Sequence, residues 1–190
     1  MRFLTTLLWI SCLAATSWNT AAAAQDYEPS HSTVTFQYLP NSDYETVIGV
    51  GLYSFKYRAT GFYINGQVTV QSTSERDDFY ESLNVNTFGD PITGYISDFA
   101  TLNIGVTHSF GENLGLFLGV GYASIEGYAE MFDPLFILDS DGTYLVRESS
   151  PDDSGVNGNG GLILQLGKLS VELGYQSFIK EGYVGLGFSF

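Results

Sequence analysis

The sequence is poor in the residues that most chemistry needs. It has one cysteine, Cys12, two histidines, His31 and His108, and seven basic residues against 21 acidic ones. Arg2 is the only charge before Asp26, Phe3 to Leu13 are apolar, and Ala21 to Ala24 supply small residues at a cleavage position. This is the layout of a secretory leader. The predicted organisation is a cleaved leader over 1–24 and one domain over 25–190, starting near Gln25. Cys12 leaves with the leader, which excludes disulfides and thiol chemistry. Two histidines without a cysteine offer no metal-ligand cluster, and neither a metal nor a cofactor is expected. His108 adjoins Ser109, but neighbours on a strand point to opposite faces and form no nucleophile–base pair, so no catalytic residue is assigned and no enzyme is expected. The net charge of −14 becomes −15 without Arg2, which would repel nucleic-acid phosphates. Beyond the leader there is no apolar run of about 18 residues, so no membrane-spanning helix is predicted. Few charges, with many glycines and aromatics, exclude disorder.

What the sequence does have is a hydrophobic period of two. From Gly61 to Gln71, Phe62, Ile64, Val68 and Val70 share one face, opposite Tyr63, Asn65, Gln67 and Thr69. Ala100 to Phe110 sets Leu102, Ile104 and Val106 against Asn103, Gly105 and Thr107. Leu114 to Tyr122 alternates Leu116, Leu118 and Val120 with Gly115, Phe117 and Gly119. The same alternation recurs over Asn159 to Gly167, Leu169 to Tyr175 and Tyr183 to Phe190. It is weaker over Thr33 to Leu39 and Thr46 to Tyr57, which brings the total to eight strands.

The polar faces carry Gly, Thr, Asn, Gln and Tyr with almost no Lys or Glu, which suits a narrow lumen better than a solvated sheet. Connections at Lys56 to Thr60, Gly111 to Asn113 and Gly167-Lys168 are short, whereas Ser72 to Gly94 and Tyr128 to Gly158 are long. Short turns on one side and long loops on the other are the membrane-barrel arrangement. The predicted fold class is all-β, an eight-stranded antiparallel up-and-down transmembrane β-barrel. Both termini and the short turns are assigned to the periplasm.

Tyr183-Val-Gly-Leu-Gly-Phe-Ser-Phe190 ends on an aromatic residue. In the form Tyr183, Gly185, Phe188 and Phe190, it resembles the C-terminal assembly signal of Gram-negative outer-membrane barrels. Together with the leader and the strand pattern, it makes the chain similar to the small OmpA transmembrane-domain and OmpX-like barrels. The resemblance implies a monomer integral to the outer membrane, in contact with lipid and lipopolysaccharide and inserted by the barrel-assembly machinery. It is specific for architecture and says little about activity.

Function is then sought in lumen and loops. The lumen candidates are Tyr63, Asn65, Gln67, Asn103, Gln165 and Glu172. Glu172 needs a partner or water, and Lys56, Arg58 and Lys168 lie near the same end as candidate cations. Eight strands leave an interior just wide enough for side chains to fill. Glu75, Asp77, Asp78, Glu81 and Asp90 make the first long loop acidic, opposed by Arg76. Glu130, Asp133, Asp139, Asp141, Glu148, Asp152 and Asp153 do the same for the second, opposed by Arg147. Asp139-Ser-Asp141-Gly142 lacks calcium-loop spacing, so no metal site is assigned. Phe136 to Asp139 and Tyr144 to Arg147 flank Asp141-Gly142 and predict a hairpin, with the fifth and sixth barrel strands continuing above the membrane as a ribbon. Tyr38, Tyr95, Phe110, Tyr122, Tyr175, Phe188 and Phe190 are read as interfacial girdles. The expected role is structural or interactive, through acidic surface loops and an unknown cell-surface partner. The alternative is a narrow passive pore for small solutes or ions.

Overall fold

The computed structural model describes residues 30–40, 46–56, 59–70, 73, 76–83, 85–138, 141–148 and 153–190. The leader over 1–24, Arg58, Glu75, Asp139 and Asp152 lie outside the described residues. Nine strands follow in order: β1 (Ser30–Leu39), β2 (Val47–Lys56), β3 (Thr60–Thr69), β4 (Ile92–Ser109), β5 (Leu114–Phe132), β6 (Thr143–Arg147), β7 (Asp153–Leu166), β8 (Leu169–Gln176) and β9 (Glu181–Ser189). All ladders between strands are antiparallel, and β9 pairs with β1 through Thr33↔Ser189 to Tyr38↔Val184. This pairing closes eight strands, β1 to β5 and β7 to β9, into a barrel, with β6 added outside it.

Alternation decides which side chains fill the barrel and which coat it. Phe36, Phe62, Leu102, Ile104, Leu118, Val120, Leu173 and Leu186 point outward and are exposed. On a closed barrel such a continuous apolar exterior is the surface that hydrocarbon covers. Inside, Tyr53, Phe55, Tyr63, Phe117, Ile163 and Tyr183 form one buried cluster with Phe99 and Ala123 above them. Glycines make room for the rings. A Cβ on Gly115 would sit 2.3 Å from the Phe55 ring, and one on Gly174 would sit 2.1 Å from the Tyr183 ring. The tight β4–β5 and β7–β8 turns use Gly111 at φ 84° and Gly167 at φ 68°, values that favour glycine. Ser30 pairs with Lys56, so both ends of the described barrel lie at the short-turn end.

The structure corrects the sequence reading above the barrel. β4 begins at Ile92 rather than Ala100, and β5 runs to Phe132 rather than Tyr122. The ribbon is therefore built from β4, β5 and β6: the fifth barrel strand continues upward as expected, but the sixth, β7, does not, because it begins at Asp153 beside Ile125. Tyr144–Arg147 is a strand, but its partner is Tyr128–Met131 of β5, not Phe136–Asp139. The physical reason is Asp133, whose side chain takes the amides of the residues that follow and bends them out of any ladder. Tyr95 accordingly pairs with Ala129 on the ribbon, away from the barrel girdle. The other six girdle candidates are outward-facing and exposed.

Gly105 is paired with Gly119, and a Cβ on it would lie 2.3 Å from the Leu118 carbonyl oxygen and 2.5 Å from the Gly119 Cα. Backbone cannot give way as a side chain can. Gly105→Ala is expected to cost about 3 kcal/mol, read as a lower urea midpoint and a smaller compact fraction on unboiled gels.

Candidate functional site: the lumen and the ribbon

Glu172 sits on the inward face of β8, between Ser170 and Gly174. It is fully buried. Its neighbour across the ladder is Gly185, where a Cβ would fall 2.8 Å from a Glu172 carboxylate oxygen. The glycine thus opens the space that the carboxylate occupies. Side chains from β1 and β2 donate into it. Thr35 Oγ1 lies at 2.5 Å and Gln37 Nε2 at 2.9 and 3.0 Å from its two oxygens, and the Tyr53 hydroxyl donates as well.

Among the described residues, Glu172 is therefore met by neutral donors and not by Lys56 or Lys168; the third candidate cation, Arg58, lies outside them. Lys56 and Lys168 are at exposed turn positions, where their ammonium groups stay hydrated. Drawing either into the lumen would add a second desolvation cost. Neutral donors stabilise the carboxylate without one, since hydrogen bonds to an ionised acceptor are the stronger kind.

The polar lining is organised around that carboxylate. Asn157 Nδ2 donates to Gln176 Oε1 at 2.8 Å, Gln176 donates to Gln67, Gln67 Nε2 to Gln37 Oε1 at 3.0 Å, and Gln37 to Glu172. A second branch starts from the same Asn157 amide. It runs to Asn103 Oδ1 at 2.9 Å, from Asn103 Nδ2 to Asn65 Oδ1 at 2.9 Å, from Asn65 Nδ2 to Tyr53 Oη at 3.4 Å, and from Tyr53 to Glu172. Both branches donate towards this one buried carboxyl group. Each dipole is aligned with the next, the arrangement in which hydrogen bonds strengthen one another.

All six lumen candidates point inward and are buried, though they play different parts. Asn65, Gln67 and Asn103 belong to the two branches. Tyr63 donates to Asn159 Oδ1 at 2.9 Å and stacks on Tyr53 with ring centroids 5.4 Å apart. Gln165 is farther down, in contact with His31, whose ring stacks on Phe55 at 5.2 Å. His108 faces outward against Phe110 at 4.9 Å, and Ser109 turns inward to donate to the Gly111 carbonyl. Thr35, Gln37, Asn157 and Gln176 were not singled out from sequence. Thr35 and Gln37 share a face opposite Val34, Phe36 and Tyr38, so alternation alone would have found them. Among the C-terminal signal residues, Tyr183 and Gly185 face the lumen, and Phe188 and Phe190 face outward.

The ribbon has a core of its own. Ala129, Met131, Tyr144 and Val146 are buried together, with Tyr80, Leu83, Val85 and Leu138 packed against them. The free side of β6 is covered by the preceding loop, as Tyr80 N donates to Leu145 O at 2.9 Å and Leu145 N to Asp78 O at 2.8 Å. Tyr144 Oη donates to Asp90 Oδ2 at 2.9 Å. Burial, then that bonded carboxylate, pushes the Tyr144 hydroxyl up to about 12. Arg76 pairs with Asp78 at 2.9 Å and Arg147 with Glu126 at 3.6 Å. The acidic loops are thus a folded layer. Among the described residues, no three of His, Cys, Asp and Glu gather as a metal-holding group.

At the ribbon's tip, Asp133 accepts the amides of Leu135 at 2.8 Å, Ile137 at 2.6 Å and Leu138 at 3.0 Å. Desolvation pushes its pKa up, but these backbone donors together outweigh that and hold it below the ordinary value. Phe136, in the middle, has φ 54°.

No protein-family model matches the chain, nor does the sequence of any curated protein. Among solved structures, the chain is similar to Ail, the attachment invasion locus protein of Yersinia pestis. The crystal structure of Ail with the heparin analogue sucrose octasulfate matches at 12% identity and TM-score 0.48, covering 85% of this chain and 99% of Ail. A second crystal structure of Ail matches at 9% identity and TM-score 0.47, covering 87% and 100%. The backbone structure of Ail in a phospholipid bilayer nanodisc matches at 14% identity and TM-score 0.42, covering 85% and 99%. What this chain does is read from its own residues.

Two outcomes test the site. Glu172→Ala removes the acceptor from these buried donors and is expected to cost about 3 kcal/mol; Glu172→Gln, which keeps an acceptor oxygen, is expected to cost less. Urea unfolding followed by circular dichroism checks both. At the tip, Asp133 has a depressed folded pKa. Its contribution is complete above its unfolded value near 3.8 and is lost as pH falls through the lower folded value. Amide exchange at Leu135, Ile137 and Leu138, corrected for intrinsic rate, is expected to stay slow at neutral pH and to accelerate in strong acid. Asp133→Asn is expected to weaken the protection at neutral pH and to abolish its acceleration in acid.

Proposed function

We propose that the chain is an integral outer-membrane β-barrel that displays a folded acidic ribbon to a partner at the cell surface. In this reading the barrel is the anchor, and the short turns and termini face the periplasm. Lipid and lipopolysaccharide cover the apolar exterior, and the Tyr183, Gly185, Phe188 and Phe190 ending is the signal read by the assembly machinery. The observation that carries the reading is the second hydrophobic cluster, around Met131 and Tyr144, beyond the barrel. A loop that only joins strands needs no core; a surface that must keep one shape for recognition does.

The lumen supports the same reading. Tyr53, Tyr63 and Phe117 meet at centroid distances of 5.1 to 5.4 Å, and the amide branches bridge the space above them. These contacts favour a structural plug over a path for solutes.

The partner's charge follows from the ribbon's. Asp78, Glu81, Asp90, Glu130, Asp133, Asp141 and Glu148 outnumber Arg76 and Arg147, and the whole chain stands at −14. A polyanion of the kind bound to Ail would be repelled, whereas a basic partner would be steered in.

The test is conductance in planar bilayers with the refolded protein. None is expected for the native chain, and Tyr53→Ala with Phe117→Ala is expected to create some. Discrete conductance by the native chain, altered by Glu172→Gln, would replace this reading with a narrow pore.

A further inference from the structure

The tip of the ribbon has an unusual surface for so acidic a protein. Leu135 is 73% exposed, Phe136 56% and Ile137 75%, three successive large apolar side chains. They lie beyond Phe132, so seven residues of β5 separate them from Ile125, the last residue of β5 paired with β7 at the barrel rim. At about 3.3 Å per residue that is roughly 23 Å of strand, which sets them apart from the apolar exterior of the barrel.

Their exposure is imposed by the backbone. Leu138 turns down into the ribbon core, and the Tyr80 hydroxyl donates to its carbonyl. Asp133 holds the amides on either side of Phe136, and the Asp133 amide itself is tied to the Gly142 carbonyl at 2.7 Å. Phe136 is thereby kept at φ 54°, in the left-handed region that a bulky residue avoids, with its ring edge-on to Phe132 at 6.0 Å. A buried carboxylate thus fixes a strained turn whose result is to present Leu135 and Ile137 to solvent. Preorganised apolar groups of this kind are what binding surfaces use to limit ordering cost.

We propose that Leu135, Phe136 and Ile137 are the anchor by which the ribbon docks a basic protein, inserting into an apolar pocket rimmed by lysine or arginine. The proposal rests on the surface-interaction reading above and names the partner's chemistry. Charge complementarity selects that occupant. Glu130 on β5, Asp141 just before β6 and Asp90, which bonds Tyr144 of β6, make the ribbon that carries the tip acidic, so an anionic lipid surface or a second copy of this chain, at −14, would meet like charge. A basic rim would pair with those carboxylates while the pocket buries the tip, the usual division between polar rim and apolar centre.

The experiment uses the full barrel in zwitterionic nanodiscs. The probe is cytochrome c, a soluble basic protein with an apolar haem edge ringed by lysines, and polylysine is the charge-only control. Cytochrome c is expected to bind, and Leu135→Ser with Ile137→Ser to weaken it about tenfold while polylysine binding stays unchanged. Asp133→Asn, which leaves the apolar residues in place, is expected to weaken cytochrome c binding as well. Retention of the compact unboiled gel band shows that each variant barrel is folded. Equal binding of both probes to the native and doubly substituted proteins would overturn the proposal, since charge alone would explain it. Tip-dependent binding to phosphatidylglycerol vesicles, or tip-dependent self-association of the barrels, would overturn it in favour of lipid or a second copy. Conductance on the same preparation reports separately on the reading beneath it.

Discussion

Ser32 and Phe190 exchange both of their backbone hydrogen bonds at 2.9 Å, and this contact joins the last strand to the first. Everything else in the barrel depends on that closure. A strand surrounded by hydrocarbon has no water to satisfy an unpaired amide or carbonyl, so an open sheet edge is excluded there. Closure removes both edges at once. It also fixes which residues the lumen must hold, because alternation leaves no freedom once the outer face is apolar.

A lumen of eight strands is narrow, and the chain fills it by pairing absence with bulk. Gly115 faces the Phe55 ring, Gly119 the Tyr63 hydroxyl and Gly174 the Tyr183 ring. The polar remainder cannot be left loose, since each unpaired buried group has a desolvation cost. Glutamine and asparagine solve this by donating and accepting in series, and a series of amides needs an end that only accepts. Glu172 is that end. One carboxyl group with several neutral donors orients the network. An ion pair would have oriented less of the lining and required a second buried charge.

The barrel was legible in the sequence because its rule is local. Phe62 against Tyr63, or Leu102 against Asn103, states the face of each residue without knowledge of its neighbours. The ribbon was less legible because its rule is not local. Asp133 reads as one more acidic loop residue, yet its side chain decides that Phe136–Leu138 forms a turn and leaves β5 free to pair with Thr143–Arg147. The neutral donors to Glu172 were illegible for a related reason. Lys168 is near in sequence, but Thr35, Gln37 and Tyr53 are brought near only by closure of β9 on β1. Charge invites a search for countercharge, whereas a narrow lumen rewards donors that carry none.

The two halves of the molecule use carboxylates in one way to opposite ends. Glu172 gathers donors from other strands inside the barrel. Asp133 gathers donors from its own turn and forces apolar side chains outward. Strain at a residue such as Phe136 persists only when the surroundings over-determine it. The surroundings here are a ribbon core seated on a closed barrel. A flexible loop would relax Phe136 to negative φ and fold Leu135 and Ile137 onto the nearest apolar surface. The ribbon denies that relaxation, because Leu138 is already packed below and β6 is covered on its free side by the segment around Phe79. Rigidity made at the barrel seam is thereby carried to the tip of the ribbon, where Leu135, Phe136 and Ile137 are held exposed.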